Sequence, residues 1–172
     1  MKVLSGKKFL IYGFFLIGVF FLQTTVALAQ QDPMLELKTI VAKEAKVKKG
    51  DKWVVEKIPV SKTGPGDILI YTTSYLNAGK GPAVDAEIVN PVPKGLVLVP
   101  DGIEGKDTEI QGSLDNGRTW QKMPVKILTR NPDGTETEKP APADRYTHVK
   151  WIVKKPVAPG QSGRVSFKAT VK

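Results

Sequence analysis

The chain has 172 residues, with 26 Lys and Arg, 17 Asp and Glu, one His, no Cys and a formal net charge of +9. This length predicts a single domain with at most a short appendage. The lack of cysteine excludes a disulfide framework and lipoprotein processing, and with only one histidine it argues against a typical zinc site.

The N-terminus has the pattern of a secretory signal peptide. A positive region made of Lys2, Lys7 and Lys8 precedes an apolar run at residues 9–22, and Ala27-Leu28-Ala29 supplies the small residues of a cleavage site after Ala29. The alternative is an uncleaved membrane anchor over residues 9–29, which are just long enough to span a bilayer. We therefore expect an exported protein, periplasmic or at the cell surface, that touches the membrane only through this segment before cleavage.

Three segments follow from this organisation. Residues 1–29 are the predicted signal peptide, residues 30–60 are predicted to form N-terminal strands or a hairpin, and residues 61–172 form the main domain. Cleavage would remove three lysines and no acidic residue, leaving a mature net charge of about +6.

After the signal, short apolar stretches rich in Val, Ile, Thr and Tyr alternate with polar residues and are broken by Pro-Gly and Asn-Gly turns. This pattern predicts strands and no long amphipathic helix. The strand-like segments are residues 35–41, 53–60, 68–76, 83–89, 96–99, 108–114, 119–123, 125–128, 146–153 and 164–171.

Several connections are predicted in more detail. Residues 42–47 either extend the first strand or turn helical, and the lysine-rich turn at 48–51 makes the first two strands a hairpin. Residues 83–89 are predicted as the strand that returns after 68–76, and residues 131–143 as an exposed, proline-rich loop. Roughly eight or nine strands at regular spacing predict an all-β, antiparallel β-sandwich.

Five motifs in order resemble those of one family. They are the turn Pro65-Gly66-Asp67, the Tyr-Thr strand at residues 70–73, Asn77-Ala78-Gly79, the Pro-x-Gly-Leu turn that ends the run Asn90-Pro91-Val92-Pro93-Lys94-Gly95-Leu96, and Pro159-Gly160-Gln161-Ser162-Gly163 before an alternating final strand. The strand at residues 83–89 and Trp151 also match. Over residues 60–172 the chain resembles the domain of unknown function eleven, a repeat of bacterial and archaeal surface proteins. The resemblance implies an immunoglobulin-like sandwich, here in a single copy and with no visible wall anchor.

Residues 113–120 fit the Asp-box pattern Ser-x-Asp-x-Gly-x-Thr-Trp. The pattern residues are Ser113, Asp115, Gly117, Thr119 and Trp120. We interpret them as a structural hairpin turn, in which the aspartate accepts backbone N–H bonds, the glycine supplies a positive φ and the tryptophan packs under the hairpin. The motif occurs once, whereas β-propellers repeat it, so a propeller is not expected.

Other polar groups are candidates for a metal or catalytic site. Asp101, Glu104, Asp107 and Glu109 offer oxygen atoms for calcium, but their spacing matches no defined loop and Lys106 lies among them. His148 is interpreted as a residue on the surface face of a strand. No base, nucleophile and orienting group can be assembled, so neither an enzyme nor a cofactor or metal site is expected.

The aromatic residues have two interpretations. They either fill the core of a sandwich or line a sugar-binding face, and the set is Trp53, Trp120, Trp151, Tyr71, Tyr75 and Tyr146. Alternation places Trp151 on one face with Val149 and Val153, which favours burial. Nucleic-acid binding is not expected, because no helix-turn-helix or basic–aromatic strand motif is present.

Two functions remain open from the sequence. The first is a non-catalytic structural or assembly module of the cell envelope, whose partners are envelope proteins or itself. An extra N-terminal strand at residues 35–47 could pair with a neighbouring molecule or fold back on its own domain. The second is a binding module for an acidic glycan or envelope polymer, because lysines are dense at residues 43–52.

Overall fold

A computed structural model describes residues 32–172 as an all-β chain of eleven strands with no α-helix. The strands are β1 (Leu35–Lys49), β2 (Lys52–Pro59), β3 (Ile68–Asn77), β4 (Glu87–Pro91), β5 (Leu96–Gly105), β6 (Thr108–Ser113), β7 (Gln121–Lys122), β8 (Lys126–Arg130), β9 (Glu136–Pro140), β10 (His148–Val153) and β11 (Ser162–Val171). One 3-10 turn, Ala143–Arg145, precedes β10. The predicted signal peptide and its cleavage residues, Ala27 and Ala29, lie outside the described residues.

The strands form three antiparallel sheets. The largest has five strands in the order β2-β1-β3-β11-β5, the second has four in the order β4-β10-β6-β7, and β8 pairs with β9 as a separate ribbon. The predicted all-β, antiparallel class is confirmed. Across residues 32–172, no helix is long and apolar enough to cross a membrane.

The five-stranded and four-stranded sheets share one hydrophobic core. In β11, Val165, Phe167 and Ala169 are buried on one face, as their alternation with polar residues requires. Trp151 of β10 is fully buried, and its ring centroid lies 6.4 Å from that of Phe167. Tyr71 of β3, which lies directly across from Phe167 in the sheet, stacks on its ring with centroids 4.8 Å apart. We call these two sheets and their core the body.

The prediction that residues 83–89 return beside β3 is wrong. β3 already has β1 on one side and β11 on the other, so no edge of β3 is free for its neighbour in sequence. The chain instead crosses to the second sheet, where β4 pairs with β10. The Asn90 side chain on β4 still reaches back, donating a 2.7 Å hydrogen bond to Oγ of Thr73 across the core.

The predicted loop at residues 131–143 is also corrected. It contains β9, which pairs with β8 from Lys126↔Pro140 to Arg130↔Glu136. Every residue of β9 is exposed, so the strand has no apolar alternation from which it could be recognised. The added strand brings the number in residues 32–172 to eleven, above the expected eight or nine.

Candidate functional site

The most distinctive feature of the surface is a two-stranded arm formed by β1 and β2. β1 pairs with β3 only over residues 35–43, whereas β2 pairs with residues 42–49 of β1. Residues 44–57 therefore extend past the start of β3, and in the described part of the chain they pair only with each other. We call residues 44–57 the arm.

The arm is closed by a two-residue turn, Gly50-Asp51, between the paired residues Lys49 and Lys52. Gly50 has φ +60°, a conformation that costs glycine little and other residues considerably more. A glycine at the first central position with a second residue at negative φ is typical of a type II′ hairpin turn, which matches the twist of the two strands. β-branched residues on either side of the turn favour the extended conformation.

Two ion pairs fix the direction in which the arm leaves the body. Lys43 Nζ lies 2.7 Å from Asp67 on the turn before β3, and Glu44 lies 2.6 Å from Lys168 Nζ on β11. Since Lys43 and Glu44 are consecutive in a strand, these pairs form on opposite faces of the sheet. The hydrogen bond from the Lys43 ammonium is the main reason that the pKa of Asp67 is below its usual value, and the hydrogen bond from the Gly64 N–H lowers it further. The base of the arm is thus attached to the body on both faces.

The outer edge of β2 has no strand partner among the described residues. The pair that closes a two-residue hairpin turn, here Lys49 and Lys52, is hydrogen-bonded. Along the hairpin from that point, non-hydrogen-bonded and hydrogen-bonded pairs alternate. Trp53, Val55 and Lys57 therefore direct their N–H and C=O groups away from β1. Pro59 occupies the next position of this series, where the missing N–H breaks no bond to β1.

The side chains on this edge are unusually apolar for an exposed strand. Trp53 is 67% exposed and Val55 is 61% exposed, on the face where Lys48 and Lys46 lie opposite them. Of the aromatic residues considered for the core, Trp151, Tyr75 and Tyr146 are buried there, whereas Trp53 is not. The sequence left Trp53 open as a core residue or part of an exposed face, because the apolar run Trp53-Val54-Val55 puts apolar side chains on both faces of the strand.

The arm carries a net positive charge, because residues 44–57 contain five lysines against three carboxylates, those of Glu44, Asp51 and Glu56. Glu44 pairs with Lys168, and Glu56 pairs with Lys49 across the hairpin. Within the described part of the chain, no carboxylate lies within 4.0 Å of the remaining arm ammonium groups, which are those of Lys46, Lys48, Lys52 and Lys57. The arm combines an open backbone edge, two exposed apolar side chains and four unpaired lysines.

The Asp-box residues lie far along the chain from the arm and form the turn after β6. Asp115 accepts hydrogen bonds from the Thr119 hydroxyl at 2.6 Å, from the Thr119 N–H at 2.9 Å and from the Ser113 hydroxyl at 2.8 Å. Gly117 has φ +79°, and its N–H donates to the Ser113 hydroxyl at 2.9 Å. All these hydrogen bonds are within the turn, so the motif holds its own loop together.

Trp120 and His148 lie together on the outer face of the four-stranded sheet. The Lys150 ammonium sits 4.7 Å from the centre of the Trp120 ring, and the His148 ring meets Trp120 edge-on at 6.3 Å. Lys150 also pairs with Glu87 at 3.1 Å. Trp120 thus covers the sheet from outside and shields a largely buried lysine, so its cation–π contact is structural.

The four candidate calcium ligands, Asp101, Glu104, Asp107 and Glu109, do not lie around one point. Asp107 pairs with Lys155, Glu109 pairs with Lys154, and Glu104 accepts a hydrogen bond from Ser166. Over residues 32–172, no group of three or more His, Cys, Asp or Glu side chains is arranged to hold a metal ion. The lysine ammonium groups hold the pKa values of Asp107 and Glu109 below normal through hydrogen bonds, which is the behaviour of surface ion pairs.

Replacing Asp115 with asparagine is expected to lower the melting temperature (Tm) by an amount that depends on pH. The Thr119 hydroxyl, the Thr119 N–H and the Ser113 hydroxyl lower the pKa of Asp115 from 3.8 to about 2. A carboxylate with a depressed folded-state pKa stabilises the fold above its unfolded pKa, and this contribution is lost as pH falls through the folded-state value.

The measurement is thermal unfolding of the wild type and of Asp115→Asn at several pH values. The Tm difference is expected to be constant above about pH 5 and to shrink towards zero near about pH 2. Asp133→Asn, in the exposed β8–β9 turn, is the control for a lowered carboxylate pKa outside the body. A Tm difference for Asp115→Asn that stays constant down to pH 2 would contradict this assignment.

No protein-family model matches this chain, and no curated protein or solved structure is significantly similar to it.

Proposed function

We propose that this chain is an exported, non-catalytic structural or assembly module of the cell envelope that acts through protein–protein contacts at the edge of β2. The observation that carries the proposal is the arm: a free strand edge with Trp53 and Val55 exposed, held away from the body. Export rests on the predicted signal peptide at residues 1–29, which places the protein in the periplasm or at the cell surface.

An unpaired strand edge is a template for another strand. Soluble proteins usually protect such edges with short strands, prolines, charged residues or covering loops. β2 carries Pro59 at one end and lysines at both, yet residues 53–55 between them present apolar side chains and free backbone groups. Strand addition would satisfy these backbone groups and bury Trp53 and Val55 in one step.

The body provides the rigid support for this contact. We propose that its two sheets form an immunoglobulin-like β-sandwich, as the resemblance to the domain of unknown function eleven implies. The Lys43–Asp67 and Glu44–Lys168 ion pairs attach the arm to that support. A partner that binds β2 is thereby joined to a folded domain in a fixed orientation.

Site-specific photo-crosslinking tests this proposal in cells that export the full chain. A photoreactive phenylalanine analogue at Val55 is expected to crosslink to protein, giving discrete bands of higher mass. Val84 is the matched control, because it is 62% exposed against 61% for Val55 and lies on the body. Equal crosslinking from both positions, or none from Val55, would overturn the proposal.

A second candidate function is binding of an acidic glycan or envelope polymer. The observation that favours it is the row of unpaired lysines, Lys46 and Lys48, opposite Val55 and Trp53 on one face of the arm. Such binding would weaken steeply with salt and would be lost in a Lys46→Gln, Lys48→Gln double variant. Polymer pulldown at low and high salt distinguishes it, because strand addition depends much less on salt.

A further inference from the structure

We propose that the partner of the β2 edge is a second copy of this chain, paired antiparallel to the first with Val54 on the two-fold axis. This inference rests on the proposed function and goes further by naming the partner and the register. It is carried by the order of side chains along residues 52–56, which is complementary to itself when reversed.

This register places complementary side chains directly opposite each other across the two strands. Lys52 of each copy faces Glu56 of the other, Trp53 faces Val55, and Val54 faces Val54. Opposite charges and apolar pairs directly across two antiparallel strands are each stabilising by roughly 0.2–1 kcal/mol. The pairing repeats on both sides of the axis, so the Lys52–Glu56 and Trp53–Val55 contacts are each made twice and the Val54–Val54 contact once, as a two-fold symmetric interface requires.

Backbone geometry allows few other registers. Residues that point their N–H and C=O groups outwards must face residues that do the same. The two-fold axis must therefore pass through a residue and not between two residues. An axis on Glu56 would set two glutamates against each other. An axis on Val55 would place Val54 against Glu56 and Lys52 against Ile58, leaving the charges unmatched. Val54 is the axis that matches every pair from 52 to 56.

The projecting arm also removes the steric obstacle to this pairing. β2 runs from the tip of the arm at Lys52 towards the body at Pro59. In an antiparallel pair, the two strands run in opposite directions, so the two bodies lie at opposite ends of the joined arms. The five-stranded sheets of the two copies then form one continuous sheet, with β2 no longer at an edge.

Cysteine crosslinking tests the register directly, since the chain contains no cysteine of its own. Val54 of one copy would form a non-hydrogen-bonded pair with Val54 of the other copy. The Cα atoms of such a pair are about 4.5 Å apart, a separation that permits a disulfide. Under mild oxidation, Val54→Cys is expected to yield mainly disulfide-linked dimer. Val55→Cys, which faces Trp53 of the other copy, is the control and is expected to stay largely reduced.

Charge reversal and edge blocking test the same interface without a crosslink. Lys52→Glu sets two pairs of glutamates against each other and is expected to raise the dimer dissociation constant at least about tenfold, with Glu56→Lys restoring it. Val55→Pro removes an outward N–H from each copy while leaving the β1–β2 hydrogen bonds intact, and is expected to weaken the dimer by about tenfold. Light scattering across protein concentration measures both, with unchanged circular dichroism as the folding control.

The outcomes separate this inference from the proposed function. A monomer at all concentrations, with no disulfide dimer of Val54→Cys, would overturn self-pairing; Val55 crosslinks to a different protein would then leave the proposed function standing. Preferential disulfide formation by Val55→Cys would overturn the register. Binding of the wild type to vesicles of anionic lipid, with no dimer, would overturn both.

Discussion

Replacing Trp151 with alanine is expected to lower the free energy of unfolding by about 3–5 kcal/mol, the usual range for removing a large aromatic side chain from a core. Trp151 is fully buried between the two sheets and packs against Phe167. Its loss would leave a cavity where β10 meets β11. Urea unfolding followed by circular dichroism measures the change, with the slope of the transition checking that unfolding remains cooperative.

Two matched variants sharpen this prediction. Trp53→Ala removes the same side chain from an exposed strand, so its effect on the free energy of unfolding is expected to stay within about 0.5 kcal/mol. Trp151→Phe is expected to cost clearly less than Trp151→Ala, because phenylalanine keeps most of the buried ring and the Trp151 indole N–H has no hydrogen-bond partner among residues 32–172. Equal losses for Trp53→Ala and Trp151→Ala would contradict the assignment of Trp53 to the surface.

The second large effect is expected for Asn77→Ala, at about 2–4 kcal/mol of unfolding free energy. Asn77 is fully buried, and its amide donates to the Gly81 carbonyl at 2.8 Å and to the Val157 carbonyl at 2.7 Å. Its carbonyl oxygen accepts the N–H groups of Gly79 and Met34. Alanine would leave several of these buried backbone groups without partners.

Asn77 therefore connects three segments: the start of the described chain, the turn after β3 and the loop between β10 and β11. The control is Asn131→Ala in the β8–β9 turn, where the side-chain hydrogen bonds are exposed to solvent and their loss is expected to cost less than about 1 kcal/mol. Urea unfolding of both variants makes the comparison. A loss for Asn77→Ala no larger than that for Asn131→Ala would show that water replaces the Asn77 hydrogen bonds.

These stability effects are expected to be independent of the assembly effects. Trp151 and Asn77 act inside the body, whereas Lys52, Val54 and Val55 lie on the arm. Because the two groups share no contact, variants of the arm should change association and leave the free energy of unfolding nearly unchanged. This separation allows the assembly proposal to be tested on a folded protein.

The sequence alone determined the all-β class and the local turns of this protein. Alternation of apolar and polar residues placed β11 and put Trp151, Val149 and Val153 on one buried face, because strand side chains point to opposite sides in turn. The Asp-box residues marked a turn in which Asp115 bonds only to residues of the motif, as a run of eight residues can specify. The hydrogen bond from the Asn116 N–H to the Thr147 hydroxyl joins this turn to a distant segment. Such features depend on neighbours in sequence and can be recognised from sequence.

Only the tertiary structure decided which strands lie beside each other and which faces stay exposed. β3 pairs with β1 on one edge and β11 on the other, so residues 83–89 could not pair with it. The sequence near β3 does not indicate these two pairings, because both partners are distant in the chain. Trp53 lies in an apolar run with Val54 and Val55 that does not indicate which side chains are buried. It is exposed because β1 extends beyond the start of β3 and places the arm past the body. Burial is a property of what packs against a strand, and long-range pairing sets that packing.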